Sequence, residues 1–312
     1  MQDTISTLFR QIELDKGTTE LDTIVLSALV DAIKQYPITD IKKFQEIFKE
    51  IIALICQTEP KIAILMDHMF DVYEELLKVF QYDSKENQEK IKSKLLKKID
   101  EVIKDQKNKK QQLLKNAKKY VNIEGKSILI FDHSHTVQDV LTYLHNSGEK
   151  FKVIVAEQDI YKTEDIIASL HKSNIPFEVI PSYMLSHYEQ NVDMLFFGAV
   201  TLKNTYDFVL DPGSLAIISE FHLTKKKTVM FITTSKFSLW KSKRGTEVYH
   251  HPQNRLHSRQ KIEYKRLKFS HDRVPSKLFD IIITEEGNFT ASELKKNYDE
   301  KFKERQKQKK LL

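Results

Sequence analysis

Short apolar runs that alternate with helix-length segments dominate the middle of this chain. The runs extend from Ser127 to Phe131, Phe151 to Ala156, Phe177 to Ile180 and Asp193 to Ala199. Each is rich in β-branched and aromatic residues, which is typical of strands that are buried on both faces. The alternation predicts a parallel sheet covered by helices. Ligands of such open α/β folds bind at the carboxyl ends of the strands.

Further elements extend this sheet toward the C-terminus. A helix is predicted from Ser214 to about Thr224, a strand from Thr228 to Ile232 and a last strand from Leu278 to Thr284. We expect irregular structure between the fourth strand and Pro212, and a polar, basic excursion over Ser238–Asp272. A charged helix is expected after the last strand.

Upstream of Gly125 the pattern is helical instead. Residues 1–17 are weakly patterned, and apolar residues then recur with a period of 3.6 in four segments. The first of these helices is expected to begin at Thr18 or Thr19, and the fourth to run from about Ser84 to Tyr120. The change of pattern predicts two domains: a helical domain of residues 1–120, followed by an α/β domain of residues 121–312 with a charged helical tail.

Composition limits where such a chain can work. No apolar run approaches the roughly 20 residues that cross a membrane, and the N-terminus lacks the pattern of a secretory signal. Cys56 is the only cysteine, which excludes an internal disulfide and fits a reducing compartment. The net charge of +6 permits an anionic partner but does not require one. We therefore expect a cytoplasmic protein with no membrane partner.

Several short motifs follow the predicted strands in a fixed order. They are Asp132-His133-Ser134, Phe197-Gly198-Ala199, Gly213-Ser214, Ser235-Lys236-Phe237 and the run from Ile282 to Gly287. No one of them is specific, but their order resembles the family of the alpha, beta and delta regulatory subunits of translation initiation factor 2B. That family also contains isomerases of methylthioribose-1-phosphate and ribose-1,5-bisphosphate.

The resemblance carries expectations about fold and partners. It implies a helical N-terminal domain, a Rossmann-like C-terminal domain with a mostly parallel sheet, and twofold dimers through the C-terminal domain. The expected partners are the chain itself or related subunits in a dimer or larger complex, with the initiation factor 2 GTPase as a further candidate. The implied role is that of a regulatory or assembly subunit.

The family's isomerases differ from this chain at the positions that carry their chemistry. Ser134 stands where the enzymes have a cysteine, and Val200 where they have an aspartate. A hydroxyl needs a base to activate it, and a valine cannot titrate at all. Gln158-Asp159 replaces an arginine suited to phosphate, and Leu210-Asp211 replaces an Asn-Lys pair. We therefore expect no enzyme activity, no catalytic residues and no cofactor, with an isomerase of altered chemistry as the alternative.

A small set of residues remains as weak candidates for ligand binding. His133 and His135 alternate on an extended segment and would suit a metal, but the sequence shows no second pair of ligands with a convincing spacing. No metal is therefore expected. Gly213-Ser214 opens a helix, whose N-terminus favours anions; plain capping by Ser214 is the favoured interpretation, and a small-anion site is the alternative. The candidates are His133, Ser134, Glu157, Gly213, Ser214 and Lys236.

The basic segment after the fifth main strand is the last candidate. Residues 238–275 interleave lysines and arginines with aromatic side chains, which is a pattern that binds RNA in some proteins. A solvated excursion is the plainer interpretation, so nucleic acid is an alternative partner and not the favoured one. The candidate residues are Lys241, Lys243, Arg244, Arg255, Arg259, Lys265 and Arg266.

Overall fold

The structure is a computed structural model that describes residues 2–37, 41–58, 61–82, 88–240, 250–257 and 262–309. Its α-helices are α1 (Gln2–Gln35), α2 (Ile41–Cys56), α3 (Ala63–Tyr82), α4 (Gln88–Tyr120), α5 (His135–Asn146), α6 (Ile160–Lys172), α7 (Ser214–Leu223) and α8 (Ala291–Lys309). Its strands are β1 (Lys126–Ile130), β2 (Phe151–Glu157), β3 (Phe177–Pro181), β4 (Met194–Gly198), β5 (Thr201–Leu202), β6 (Asp207–Leu210), β7 (Lys227–Phe231), β8 (His250–His257), β9 (Ile262–Phe269), β10 (Asp272–Pro275), β11 (Ile281–Thr284) and β12 (Gly287–Phe289).

A seven-stranded sheet forms the centre of the α/β part, in the order β12-β11-β7-β4-β1-β2-β3. All neighbours pair in parallel except β11 and β12, which form an antiparallel edge. The apolar runs that form β1, β2 and β4 are largely buried, as expected for strands covered by helices, whereas the run from Phe177 to Ile180 forms the edge strand β3 and is partly exposed. The predicted fold class, a helical part followed by a Rossmann-like and mostly parallel sheet, is confirmed.

Strands also form where irregular structure or a basic excursion was predicted. β5, β6 and β10 make a small antiparallel sheet, and β8 and β9 pair as a two-stranded hairpin. The expectation of irregular structure up to Pro212 was therefore wrong. The apolar residues of β9 do not keep to one alternating set, so the sequence lacks the pattern of a half-buried strand. They are all exposed in the structure: Ile262, Tyr264, Leu267 and Phe269.

The helical part has its own apolar core. Residues of α1, α2, α3 and the first half of α4 meet there, including Leu21, Phe48, Met69 and Leu95. The segment Gln2–Gln35 consists of two helices with a kink at Gly17, whose φ of 80° and ψ of 166° are not helical. A helix therefore begins after Gly17, as predicted, and the weakly patterned N-terminus before it is helical as well.

Two buried polar groups connect the helices of this part. Asp22 accepts hydrogen bonds from His68 Nδ1 at 2.8 Å and from Gln106 Nε2 at 2.9 Å, which links α1, α3 and α4. Arg305 of α8 pairs with Asp67 at 2.6 Å and with Asp71 at 2.7 Å on α3. Burial raises the pKa of Asp67, and the charge of Arg305 opposes that shift.

Contacts within the chain divide it into two compact units. One contains the described residues up to Gln112, Thr233–Leu239 and the described residues from Lys303 onward. The other contains Leu113–Ile232 and the described residues of Trp240–Phe302. Each unit combines separate stretches of the chain, whereas a division at residue 120 would give two continuous domains. That residues 1–120 and 121–312 fold as separate domains stays a prediction.

None of the described helices combines the length and the apolar character needed to cross a membrane.

Candidate functional site

The candidate site lies where β1, β2 and β4 end. β1 has β2 on one side and β4 on the other, so the chain leaves β1 at the point where the strand order reverses. In open α/β sheets, ligands bind in the crevice at such a switch point. The residues that follow these three strands are those that the sequence singled out, and the second compact unit contains all of them.

Asp132 is a buried carboxylate at the end of β1. Its Oδ2 accepts the backbone N–H of Gly198 at 2.9 Å, which joins the ends of β1 and β4. Among the described residues, its Oδ1 has no hydrogen-bond partner. Burial raises the pKa of Asp132 well above its usual range, and the hydrogen bond from Gly198 only partly offsets this effect. Asp132 is thus the one strongly perturbed acid at this edge among the described residues.

Ser134 caps helix α5 and is closely packed. Its Oγ accepts the backbone N–H of Val137 at 3.3 Å, in the arrangement of a helix N-cap. A Cβ placed on Gly198 would lie 2.0 Å from this Oγ, so the end of β4 packs directly against the serine. The hydroxyl of Ser134 thus serves as a helix cap in a tightly packed position.

Val200 lies at the start of the small antiparallel sheet. Its backbone N–H donates to the carbonyl of Val209 at 3.0 Å. The side chain is half-buried and offers no polar atom. Nothing at position 200 therefore replaces a titratable group.

An internal ion pair lies beside the end of β1. Lys162 of α6 donates to Asp211 Oδ1 at 2.6 Å, and the backbone N–H of His133 donates to Asp211 Oδ2 at 2.8 Å. Both charged side chains are largely buried, at 19% and 15% exposure. Burial alone would raise the pKa of Asp211, but the charge and hydrogen bond of Lys162 lower it further than burial raises it. The acid at position 211 thus has its own cation.

The residues after β2 serve the local backbone. Asp159 is the N-cap of α6 and accepts the N–H of Lys162 at 3.1 Å. Gln158 donates from Nε2 to the carbonyl of Phe131. Glu157, at the end of β2, is exposed. Gln158 and Asp159 therefore have structural partners, and the role of Glu157 as a ligand residue stays a prediction.

The N-terminus of α7 already has an anion. The carboxylate of Asp272, from β10, accepts the N–H groups of Gly213 and Leu215, each at 2.9 Å. Gly213 occupies the N-cap position at φ 100°, and a Cβ there would lie 2.9 Å from the Phe131 ring. Ser214 is fully buried and makes no capping bond, so the expectation that it caps the helix was wrong. Asp272 satisfies the donors that an external anion would use.

The remaining candidates are Lys236 and the basic residues. Lys236 is buried and belongs to the compact unit of the helices, unlike His133, Ser134, Glu157, Gly213 and Ser214. Lys241, Lys243, Arg244 and Arg259 lie outside the described residues. Arg255 lies on β8, and Arg266 and the exposed Lys265 lie on β9. The predicted ligand and RNA residues stay predictions.

Three side chains beside the end of β1 are of the types that bind metal ions. His133 and His135 each offer a ring nitrogen and Asp165 of α6 offers a carboxylate oxygen, all within 4.8 Å of one another. His133 Nε2 lies 2.7 Å from Asp165 Oδ2. Burial raises the pKa of Asp165, but the hydrogen bond and charge of His133 lower it below its usual value.

Sequence reasoning missed Lys162, Asp165 and Asp272. All three act from other segments: the first two from α6, and Asp272 from β10, some sixty residues beyond the helix that it caps. One signal was present. Lys162 and Asp165 lie at a spacing of three in a predicted helix that leaves the neighbouring strand, so both face the same side. For Asp272 the sequence carries no such signal.

The sequence matches one known protein family. The sequence model of the Initiation factor 2 subunit family matches residues 15–291. Comparison with curated protein sequences gives no significant match.

Three solved structures have a similar fold. A translation initiation factor eIF-2B from Pyrococcus horikoshii OT3 is 17% identical, with 88% of this chain and 90% of that one covered at a TM-score of 0.68. The tetrameric eIF2B-beta2-delta2 complex from C. thermophilum gives 16% identity, coverages of 96% and 95% and a TM-score of 0.71. The eIF2B delta subunit from Chaetomium thermophilum is 15% identical, with 91% of this chain and 96% of that one covered at a TM-score of 0.70. The match over residues 15–291 spans most of the chain, which therefore belongs to the Initiation factor 2 subunit family.

Proposed function

We propose that this chain is a non-catalytic subunit of an assembly of the initiation factor 2B type, and that it acts in translation initiation through contacts with other proteins. Membership of the family supports the translation-initiation part of this proposal. The internal contacts at the candidate site support the non-catalytic part.

The observation that carries the proposal is the ion pair of Asp211 and Lys162. A phosphate ligand needs cations and N–H groups that are available to it. Here the ammonium of Lys162 and the N–H of His133 are both used by Asp211. Asp272 likewise uses the N–H groups of Gly213 and Leu215. The chain's own carboxylates thus use the donors that a sugar phosphate would require.

A reaction of the isomerase type would also lack the two titratable groups that the family's enzymes use. Ser134 Oγ is engaged as a helix cap and abuts Gly198, and Val200 cannot titrate. A missing acid or base typically costs on the order of 10²–10⁴ in rate, so the loss of both leaves little above background.

Activity assays test the non-catalytic role directly. The purified full chain is incubated with ribose-1,5-bisphosphate and with methylthioribose-1-phosphate, beside an active isomerase of the family as positive control. We expect no turnover, and none from Ser134→Cys with Val200→Asp, because the double variant leaves Asp211 and Asp272 in place. Turnover by the wild-type chain would refute the non-catalytic role.

One observation favours an isomerase of altered chemistry as the second candidate. Asp132 is a buried acid with a raised pKa, and its Oδ1 has no partner among the described residues. Such a group is suited to general acid–base work. If the wild-type chain turns over a sugar phosphate, Asp132→Asn should abolish that turnover, while Glu157→Gln should not.

Partners are the second part of the proposal. The related beta and delta subunits from C. thermophilum form a beta2-delta2 tetramer. We infer that this chain pairs with a second copy or a related subunit through its α/β part, and that it works in the cytoplasm with the initiation factor 2 GTPase as a further partner. Light scattering at tens of micromolar, alone and after co-expression with related subunits, tests this. A monomer under both conditions would contradict it.

A further inference from the structure

Two imidazoles and one carboxylate converge beside the candidate site, in an arrangement that the proposed function does not use. One nitrogen from each of His133 and His135 and one oxygen of Asp165 lie within 4.8 Å of one another. The two rings are 5.0 Å apart between centroids and inclined at 73°. From these positions we propose that His133, His135 and Asp165 bind one divalent transition-metal ion, with Zn²⁺ as the ion that fits best.

Local backbone geometry brings the two histidines together. Ser134, between them, is extended at φ −108° and ψ 109° before the helix begins at His135. Alternate residues of an extended segment point to the same side. The backbone N–H of His133 is also bonded to Asp211 at 2.8 Å, which holds the turn in place. The backbone at His133 is therefore held by a contact that does not involve its imidazole.

The third ligand comes from a neighbouring helix. Asp165 lies on α6, which also contacts α5 through a hydrogen bond of 3.1 Å between Thr142 Oγ1 and Ser173 Oγ. The His133 side chain is 9% exposed, whereas that of Asp165 is 55% exposed. The cluster thus has a fixed, inner histidine and a carboxylate at the surface. An ion could enter from the solvent side.

The donor set selects the class of ion. Imidazole nitrogens suit zinc, copper, iron and nickel, whereas magnesium and calcium prefer oxygen ligands alone. Two histidines and a carboxylate leave a further position for water, as in zinc sites with three protein ligands. The carboxylate also offsets one of the two charges of the ion.

A small adjustment would complete the geometry. Ligand atoms at about 2.0–2.1 Å from a tetrahedral zinc ion are roughly 3.3 Å apart. His133 Nε2 and Asp165 Oδ2 are 2.7 Å apart because they share a hydrogen bond. The exposed Asp165 side chain can move outward by the necessary half ångström or so. The ion then replaces the shared proton and links the turn after β1 to α6.

Metal titration of the full chain tests this site. The protein is prepared without a histidine tag, treated with a chelator and dialysed. Co²⁺ is then added while the visible d–d bands are recorded, and Zn²⁺ binding is measured by calorimetry. We expect one equivalent per chain. Asp165→Asn and His135→Gln should each weaken binding at least about 10-fold, as loss of a ligand does.

Matched controls separate this site from other donors. Glu164→Gln removes the adjacent exposed carboxylate of α6, and His171→Gln removes an exposed histidine of the same helix. Both should bind as the wild type does. Failure of the wild type to bind one equivalent, or equal affinity of Asp165→Asn and Glu164→Gln, would overturn the proposal. Asp165 is a surface residue, and circular dichroism verifies that its variant is folded.

Discussion

Replacing Gly198 by alanine should destabilise the sheet in a way that Ser134 controls. The added Cβ would lie 2.0 Å from Ser134 Oγ, 3.0 Å from Ser134 Cβ and 3.3 Å from Val137 Cγ2. The first distance is impossible for real atoms, so β4 or the start of α5 must shift. Such a shift would also strain the hydrogen bond from Gly198 to Asp132.

The expected loss of unfolding free energy follows from these contacts. Overpacking a close-packed site costs typically 1–3 kcal/mol, so we expect Gly198→Ala to lower the free energy of unfolding by about 2 kcal/mol. Ser134→Ala loses the N-cap of α5, at about 1 kcal/mol. In the double variant the 2.0 Å contact disappears, while the 3.0 Å contact remains. The double variant should therefore lose about 2 kcal/mol in total, which is about 1 kcal/mol less than the sum of the single variants.

Urea unfolding followed by tryptophan fluorescence measures this coupling. Trp240 is the only tryptophan, and it belongs to the same compact unit as Gly198. Gly148→Ala is the comparison, because its cost comes from a φ of 93° with no atom near the new Cβ. Ser134→Ala should not relieve that cost. Additive effects of Gly198→Ala and Ser134→Ala, within about 0.5 kcal/mol, would refute the close contact.

Three further changes test buried charges, each by urea unfolding. Arg305→Met leaves Asp67 and Asp71 without their cation and should lower the free energy of unfolding by about 3 kcal/mol. Lys307→Met, at an exposed position of α8, should lower it by less than about 0.5 kcal/mol, and equal losses would contradict the pairing. Asp211→Asn leaves Lys162 unpaired and should cost about 2 kcal/mol at pH 7. Because the folded pKa of Asp211 is lowered, this cost should shrink as the pH falls below about 4, and a pH-independent cost would count against the ion pair. Burial lowers the pKa of His68, but the hydrogen bond and charge of Asp22 outweigh it, so the folded pKa is raised. The contribution of His68 to stability is therefore complete below about pH 6.5 and is lost as the pH rises through the folded pKa. His68→Gln should thus cost more at pH 5.5 than at pH 9, and the reverse order would show that His68 is not protonated against Asp22.

The sequence predicted the sheet well because its central strands carry continuous buried apolar runs, although the edge strand β3 is partly exposed. The run from Ser127 to Phe131 became β1 at Lys126–Ile130, and the run from Phe151 to Ala156 became β2 at Phe151–Glu157. Burial on both faces demands continuous apolar residues, which leave a direct signal. On β9 the apolar side chains of Ile262 and Leu267 are exposed, so this segment lacks the buried apolar run that identifies the strands of the main sheet.

The candidate site was predictable in its location but not in its contacts. Motifs at the ends of strands led to Ser134, Val200 and Gly213, and that these residues form a binding site stays a prediction. The partners of charged residues depend on the distance between elements, which a sequence does not contain. The sequence shows only that Leu210-Asp211 replaces an Asn-Lys pair, whereas the structure shows that Lys162 balances the charge of Asp211. Asp272 came from a segment that gave no sign of reaching α7.

The ion pair of Lys162 and Asp211 also constrains which sequences are accessible from this one. Loss of either residue alone leaves the other as a largely buried charge without its counter-ion, at 19% or 15% exposure. An intermediate with one replacement would thus be less stable than the chains before and after it. A lineage carrying this pair would have to cross that barrier, or change both positions together, before Lys162 became available to a phosphate.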